Sequence, residues 1–563
     1  MDKLEKFESG NCDMQNQENN LNEDIAQDKM LKGSAWMTAG SVFSRILGAL
    51  YIIPWNMILG GLYLQANALY VQGYNVYSLI LIISIAGIPS AIAKQVAHYN
   101  ALNEYGVSVR LYKRGVLLSV IMGILCALFL YFFSPLIDNG NPDLIPVMRS
   151  LSWAVLIIPT MSLTRGYFQG FQDMAPSALS QFVEQLFRVI YMLIAVFFII
   201  KVLRGSWVTA VSQSTFAAFI GALAGLLILA WYYFRRRKYY RSLIRNSNNQ
   251  LHVNANKLYL EIIQQAVPFV ILGAGIAIFQ LIDQYTFFNI MHVSTSASNK
   301  VLDQLYAIFA GNANKLIMIT ISLASSVAIT VVPLLSESYT RGNKKEISHQ
   351  VSAGFVLFSF IMIPAALGMT AIAGPLNRLF YTNVNGALSA NVLAFSSIVS
   401  ISFGLFTVLS AMMQGISQNK VAVKYFVYGA IAKIITQFPM VYFFKEFGPL
   451  LSSAIGFMVV NMLIIGSLDR QFKFRNDKML SQINWIILFS LVTYFVAITA
   501  VYAGNLLVSL GMNQYGRIGS GIVVAFASLL GGLVYVYLTL KSRIADTVLG
   551  HKAETLRRKL HIG

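Results

Sequence analysis

Residues 176–201 read PSALSQFVEQLFRVIYMLIAVFFIIK, a run that starts on a proline suited to a helix N-terminus and stays mostly apolar to its closing lysine. As an α-helix rising 1.5 Å per residue it is about 39 Å long, enough to cross a hydrocarbon core of about 30 Å. Gln181, Glu184, Gln185 and Arg188 recur at three- and four-residue spacing and share one face. Arg188 lies about twelve residues in, roughly 18 Å deep, where a lone cation costs several kcal/mol. Such a helix is stable in a membrane only if its polar face meets other helices or a water-filled cavity. The stretch therefore predicts a polytopic helical bundle rather than a single anchor.

The rest of the chain agrees with that reading. Of its 563 residues 56% are hydrophobic and 12% charged, with mean hydropathy +0.62. About fourteen spans follow from the apolar runs, with approximate limits 33–59, 69–99, 114–133, 150–170, 176–201, 208–231, 261–290, 303–335, 351–373, 388–415, 421–445, 449–469, 483–504 and 518–541. The fold class is thus all-α. The formal net charge of +19 points to a membrane rather than to nucleic acid, because most Lys and Arg flank apolar runs. Placing both termini in the cytoplasm puts about 31 of the 42 Lys and Arg inside and about seven outside. The largest cluster, Arg235 to Lys238 with Arg241 and Arg245, reads first as a topology anchor on anionic lipid, with substrate gathering the lesser reading. Cys12 and Cys126 make neither a disulfide framework nor a metal spacing.

Residues 1–29 are expected to be a disordered polar cytoplasmic tail, without a cleavable signal peptide. Residues 30–233 form a first lobe of six spans, 234–258 a basic cytoplasmic connection and 259–470 a second lobe of six. Residues 471–545 add two C-terminal spans, and 546–563 a basic cytoplasmic tail. The lobes read as a duplication. Ser134-Pro135-Leu136 answers to Gly374-Pro375-Leu376, Gln169-Gly170 to Gln414-Gly415 and Tyr99 to Tyr339, at offsets of about 240 to 245. Repeats of the same topology place a substrate site between halves, and the larger offset carries Arg188 onto Lys433.

Sorting the basic residues by membrane side leaves four exceptions near the midplane: Arg45, Arg188, Lys315 and Lys433. A cavity that collects them suits an anion. Arg45, in Ser44-Arg45-Ile46-Leu47-Gly48, has no carboxylate at helical spacing, and its guanidinium matches phosphate oxygens, while Gly48 permits close helix approach. Glu184 either neutralises Arg188 within the helix or orients it and helps reset the empty carrier; Gln181 and Gln185 join helices or line the cavity. Lys315 either faces the cavity or bridges Asp283 of the seventh span. Pro89, Pro159, Pro268, Pro333 and Pro439 mark kinks or hinges.

Four motifs carry a family resemblance: Ser44 to Gly48 in the first span, Ile88-Pro89-Ser90-Ala91-Ile92-Ala93-Lys94 closing the second, Arg165-Gly166-Tyr167-Phe168-Gln169-Gly170 after the fourth, and Pro176 through Arg188 in the fifth. In this order they resemble the polysaccharide-biosynthesis branch, with its YtgP, SpoVB and MurJ-like proteins, of the multidrug/oligosaccharidyl-lipid/polysaccharide exporter superfamily. The resemblance covers residues 30 to about 545. It implies fourteen helices, two V-shaped lobes and an essential cavity arginine at Arg45. The family's next arginine corresponds to Tyr51, so cationic coverage has to come from Arg188 and Lys433. Some members bind sodium through carboxylates on the seventh and eleventh helices. Asp283 answers to the first, whereas the eleventh span carries Lys433 and no carboxylate, which puts a sodium site in doubt and leaves Lys433 itself as a cation that could mimic it.

The expected function is alternating-access export of an undecaprenyl-pyrophosphate-linked cell-wall precursor, foremost lipid II, across a bacterial cytoplasmic membrane. The alternatives are a flippase for a teichoic, capsular or exopolysaccharide unit, a cation-coupled drug exporter, or a membrane glycosyltransferase. Buried cations disfavour the drug exporter, and short external loops without an Asp-x-Asp pair disfavour the glycosyltransferase. No cofactor or metal is expected, with sodium or proton coupling left open. The expected partners are the lipid-linked oligosaccharide and membrane lipids, with contact to cell-wall synthesis enzymes left open. A monomer is expected, and no nucleic acid. From the resemblance, spans thirteen and fourteen border a groove for the polyprenyl tail.

Overall fold

A computed structural model describes residues 44, 47–85, 87–138, 140–247, 267–268, 270–381, 386–511, 513 and 515–560. The tail 1–29 and Arg45 lie outside the described residues. Within them the regular structure is entirely helical, and eleven stretches are long and apolar enough to cross a membrane. Two of the eleven hold two spans each. Leu47–Ile85 contains the end of the first and most of the second, parted at Gly60–Leu62; Asn419–Phe472 contains the eleventh and twelfth, parted at Lys445–Phe447. The seventh span, whose helix Gly275–Ser294 follows a turn at Ala274, falls outside the eleven.

The stretch 176–201 forms a helix over Ala175–Phe197, continued by a π-helical turn over Phe198–Val202. Its outer face is as the pattern requires: Phe187, Ile190, Ile194 and Phe197 recur at helical spacing and are exposed, where lipid would cover them. Its polar face turns inward. Pro176 occupies the first turn, where its missing N–H costs nothing.

The second span begins at Tyr63, several residues before the hydropathic limit near residue 69. The intervening Asn and Gln side chains lower the hydropathy, yet the helix buries Asn67, Gln72 and Asn75 against the other lobe. It breaks once, at Gly87, whose φ of 69° only glycine adopts without strain, and resumes as Ile88–Ala101 with Pro89 in its first turn.

The two lobes repeat the same packing. The fifth span lies along the sixth (Trp207–Arg235) as the eleventh (Asn419–Phe444) lies along the twelfth (Gly448–Phe472). The second packs on the fourth (Leu144–Gly170) as the eighth (Asn314–Thr340) packs on the tenth (Gly386–Gly415). A Cβ on Gly166 would collide with the Pro89 carbonyl, and one on Gly170 would stand 2.6 Å from Val96 Cβ, so two of the resemblance-bearing motifs are each other's packing surface. In the second lobe a Cβ on Gly415 would lie 3.2 Å from the Val332 carbonyl oxygen, beside Pro333. Spans thirteen (Asp477–Ser509) and fourteen (Arg517–Lys541) pair with one another and lean on the ninth, Lys344–Ala371, where Tyr535 Oη donates to the Phe360 carbonyl at 2.8 Å.

The basic connection holds a short helix, Arg237–Arg245, docked through buried Tyr240, whose ring stacks on Tyr233. Arg235, Arg237, Lys238, Arg241 and Arg245 stay exposed around it. Among the described residues, the hydrogen bonds joining the two lobes gather at the opposite end of the bundle. There Tyr63 Oη and Asn67 Nδ2 each donate to Asn312 Oδ1 at 2.9 Å, Asn75 Nδ2 donates to Gln284 Oε1 at 3.1 Å, and Tyr285 Oη donates to the Ile137 carbonyl at 3.0 Å. Asn312 belongs to a π-helical turn, Ala307–Ala313, between the helices Asn299–Tyr306 and Asn314–Thr340.

Candidate functional site

Beneath that contact lies a cavity of about 360 Å³ between the lobes. The first lobe contributes Gly48, Tyr51, Tyr70, Tyr74, Gln185 and Arg188, and the second Gln280, Asn314 and Lys315. Its floor is aromatic, with Tyr70 and Tyr74 stacked at 5.4 Å. Arg188 enters from span five, donating through Nη2 to Tyr74 Oη, with its guanidinium carbon 5.5 Å from the centre of the Tyr74 ring. Lys315 enters from span eight and donates to Asn67 Oδ1 at 2.8 Å. Its ammonium sits 5.0 Å from the centre of the Tyr70 ring, 5.4 Å from Trp55 and 5.9 Å from Tyr51. Neither cation has a carboxylate partner among the described residues. Arg188 is held by a tyrosine ring and its hydroxyl and Lys315 by rings and a neutral amide, which orient a charge without cancelling it.

The sequence-derived candidates fall into three groups. Arg188, Lys315 and Gln185 line the cavity; a Cβ on Gly48 would meet Gln185 Nε2 at 3.3 Å, the close approach that glycine was expected to allow. Glu184 does not neutralise Arg188. It accepts from Arg165 Nη2 at 2.8 Å, and the same guanidinium also donates to Ser180 Oγ, so the ion pair ties span five to span four and leaves Arg188 free to turn inward. Gln181, on the same helix, has its Oε1 buried and without a hydrogen-bond partner among the described residues. Ser44 is helical and half-buried, while Arg45 lies outside the described residues.

Lys433 and Asp283 form the third group, and here two expectations change. Asp283 pairs with Lys433 at 2.7 Å, not with Lys315. Lys433 is fully buried and does not share the interlobe cavity with Arg188. The repeat itself is intact: a Cβ on Gly221 would stand 3.0 Å from Arg188 Cβ, and one on Gly456 3.0 Å from Lys433 Cβ, so each cation packs on an equivalent glycine of the following helix. The two part company beyond Cβ. In the first lobe Arg188 meets Tyr74, whereas in the second Lys433 is enclosed by Asp283 of span seven and Ser452 and Ser453 of span twelve. Asp283 and Ser453 also line a smaller recess that shares Asn75, Gln280, Ala310 and Asn314 with the main cavity.

A sodium ion does not fit this chain's version of the second-lobe site, because the carboxylate it would need is already taken by the Lys433 ammonium. Among the described residues no cluster of three His, Cys, Asp or Glu could hold a metal. Beside the last two spans lies a recess of about 330 Å³ lined by Gly368, Ile372, Ala497, Ala527 and Tyr535. Tyr51, at the position of the family's missing arginine, faces Lys315 instead. The residues overlooked in the sequence are Tyr51, Asn67, Tyr70 and Tyr74. The last three belong to a stripe Tyr63, Asn67, Tyr70, Tyr74, Tyr77 at three- and four-residue spacing, a legible helical face.

Residues 30–339, more than half the chain, match the family described as polysaccharide biosynthesis protein. The chain belongs to that family. Residues 309–443 also match the MatE family. The lipid II flippase MurJ of Bacillus subtilis (strain 168) is 32% identical over 545 residues, covering 94% of this chain and 98% of that protein. Stage V sporulation protein B of the same organism is 23% identical, covering 66% of this chain and 70% of its own length. Among solved structures, a lipid II flippase MurJ in an inward closed conformation superimposes with TM-score 0.59 at 14% identity, over 91% of this chain and 99% of the other. A transporter of the same superfamily from Pyrococcus furiosus, noted for the reverse polarity of its binding pocket, matches with TM-score 0.53 at 15% identity, over 79% and 94%. This member of the polysaccharide biosynthesis family is therefore a multi-pass protein of the bacterial cytoplasmic membrane, in the MurJ-like branch of the multidrug/oligosaccharidyl-lipid/polysaccharide superfamily, and a transporter rather than an enzyme.

Proposed function

We propose that this transporter flips lipid II, holding its pyrophosphate in the interlobe cavity on Arg188 and Lys315, with Arg45 as a third cation from the first span. One observation carries the reading: two basic side chains from opposite lobes line one cavity, and neither has a carboxylate partner among the described residues. Charges held this way in a low-dielectric site favour an anion strongly, and a pyrophosphate presents about two negative charges with oxygens that suit a guanidinium fork. The aromatic floor and the Asn and Gln side chains offer neutral contacts for the first sugar. The 32% identity to a lipid II flippase supports this cargo over other polyprenyl-linked glycans.

Both termini are assigned to the cytoplasm. The exposed basic helix Arg237–Arg245 and the basic ends of spans three, nine and eleven then lie inside, and the lobe contact at Asn312 lies outside. The cavity in this state is closed outward. Transport requires the Tyr63, Asn67 and Asn75 bonds to break while the lobes rock, exposing the same cations to the exterior. A membrane potential negative inside adds about 2.3 kcal/mol per net negative charge per 100 mV for outward movement. The isoprenoid tail stays in lipid, with the recess beside spans nine, thirteen and fourteen as its track.

The test is depletion of the protein in its own cell, followed by identification of the lipid-linked intermediate that builds up on the inner leaflet. Lipid II is expected. A different pyrophosphate-linked glycan would reassign the cargo, and no accumulation of any such lipid would overturn the reading.

A further inference from the structure

The buried ammonium of Lys433 has four side-chain oxygens as its hydrogen-bond partners. Asp283 Oδ1 accepts from Nζ at 2.7 Å, Ser453 Oγ at 2.6 Å, Ser452 Oγ at 3.3 Å and Gln437 Oε1 at 3.4 Å. These acceptors come from three helices, the seventh, eleventh and twelfth, and the cage is braced from outside. Gln437 Nε2 donates to Asp283 Oδ1 at 3.0 Å and to Thr286 Oγ1 at 2.9 Å, and Ser452 Oγ donates to Gln437 Oε1. The Phe279 ring closes one side, its centre 5.3 Å from Nζ. An ordinary buried ion pair needs one carboxylate and a few backbone partners. Here three further side-chain oxygens converge on a single positive point, which is the coordination a monovalent metal ion seeks.

We infer that Lys433 is a tethered substitute for a monovalent metal ion, fixing the second lobe permanently in its cation-loaded state and making the transporter independent of sodium. The tether explains why Lys433 and Arg188, equivalent in the repeat, diverge beyond Cβ: one serves the cavity, the other the internal architecture of its lobe. It also has a consequence that a structural salt bridge lacks. Removing the ammonium while keeping its oxygens leaves a cavity with one negative charge and several neutral oxygen ligands, open toward the recess through Asp283 and Ser453. That vacancy accepts sodium.

The inference does not depend on the cargo, and its test reads cation binding directly. The full chain is purified in detergent, and its melting temperature and ²²Na⁺ binding are measured in sodium against choline at constant ionic strength. Wild type is expected to show no sodium-specific shift and no saturable ²²Na⁺ binding. Lys433→Ala is expected to melt lower in choline, to regain stability saturably with sodium and to bind ²²Na⁺ at a single site; adding Asp283→Asn abolishes both responses. Lys433→Ser, which contributes another oxygen, repeats the test if the alanine variant is not monodisperse. Sodium-specific stabilisation of wild type overturns the inference without any variant. So does a folded Lys433→Ala or Lys433→Ser protein that binds no sodium.

Discussion

Replacing Arg188 by alanine removes the cation of the first lobe from the cavity while leaving the ion pair that holds its helix, Arg165 with Glu184, untouched. The guanidinium has five N–H donors and, among the described residues, spends one on Tyr74, which leaves the others for a ligand in the cavity that Arg188 lines. A charge-assisted bond contributes about 1.5–3 kcal/mol net, and a bidentate contact falls at the upper end. Loss of about 2–3 kcal/mol corresponds to roughly 30- to 150-fold weaker binding of the pyrophosphate lipid. Arg188→Lys retains the charge and loses the fork, and is expected to lie between, roughly five- to tenfold below wild type. The assay is binding of undecaprenyl pyrophosphate to purified protein at two salt concentrations, with undecaprenol as the uncharged control, alongside rescue of the depleted cell at matched membrane abundance. Wild-type binding and rescue by Arg188→Ala would refute the cavity mechanism. An equal loss for undecaprenol would show that Arg188 supports the fold rather than the phosphate.

Closure of the outer side predicts that Asn67→Cys with Asn312→Cys, joined by a short thiol crosslinker, stops transport and that a cleavable linker restores it on reduction; transport through crosslinked protein would show that this contact does not open. Gly221→Ala places a methyl 2.5 Å from the Glu184 carbonyl oxygen and Gly456→Ala places one 2.7 Å from Phe279, so both are expected to cost about 1–3 kcal/mol, read as lower melting temperature and abundance. Glu184→Ala strands Arg165 and is expected to cost about 2–3 kcal/mol, while the double variant with Arg165→Ala costs less than the sum of the singles, a coupling that a thermal-melt double-mutant cycle measures.

The membrane fold was written locally. Apolar runs of about twenty residues, the sidedness of Lys and Arg and the offset of about 245 between Gly170 and Gly415 are each legible from one dimension, because a bilayer imposes length and orientation on every span independently. The limits failed where hydropathy and burial part, as in the Asn- and Gln-bearing start of span two, whose polar groups are satisfied by the other lobe. The four midplane cations were also legible, as charges that needed an explanation. Which partner each one has was not. Glu184 stands one helical turn from Arg188 yet pairs with Arg165, and Lys315 and Lys433 were both in reach of Asp283 by depth alone. Depth is a property of sequence position, but azimuth, the direction a side chain takes around its helix relative to its neighbours, depends on how helices close-pack on glycines such as Gly221 and Gly456. The sequence determined that this protein buries positive charge in a two-lobed bundle. Only the tertiary structure decided that Arg188 and Lys315 face a shared cavity while Lys433 is caged inside its own lobe, because that choice is made by contacts between helices far apart in the chain.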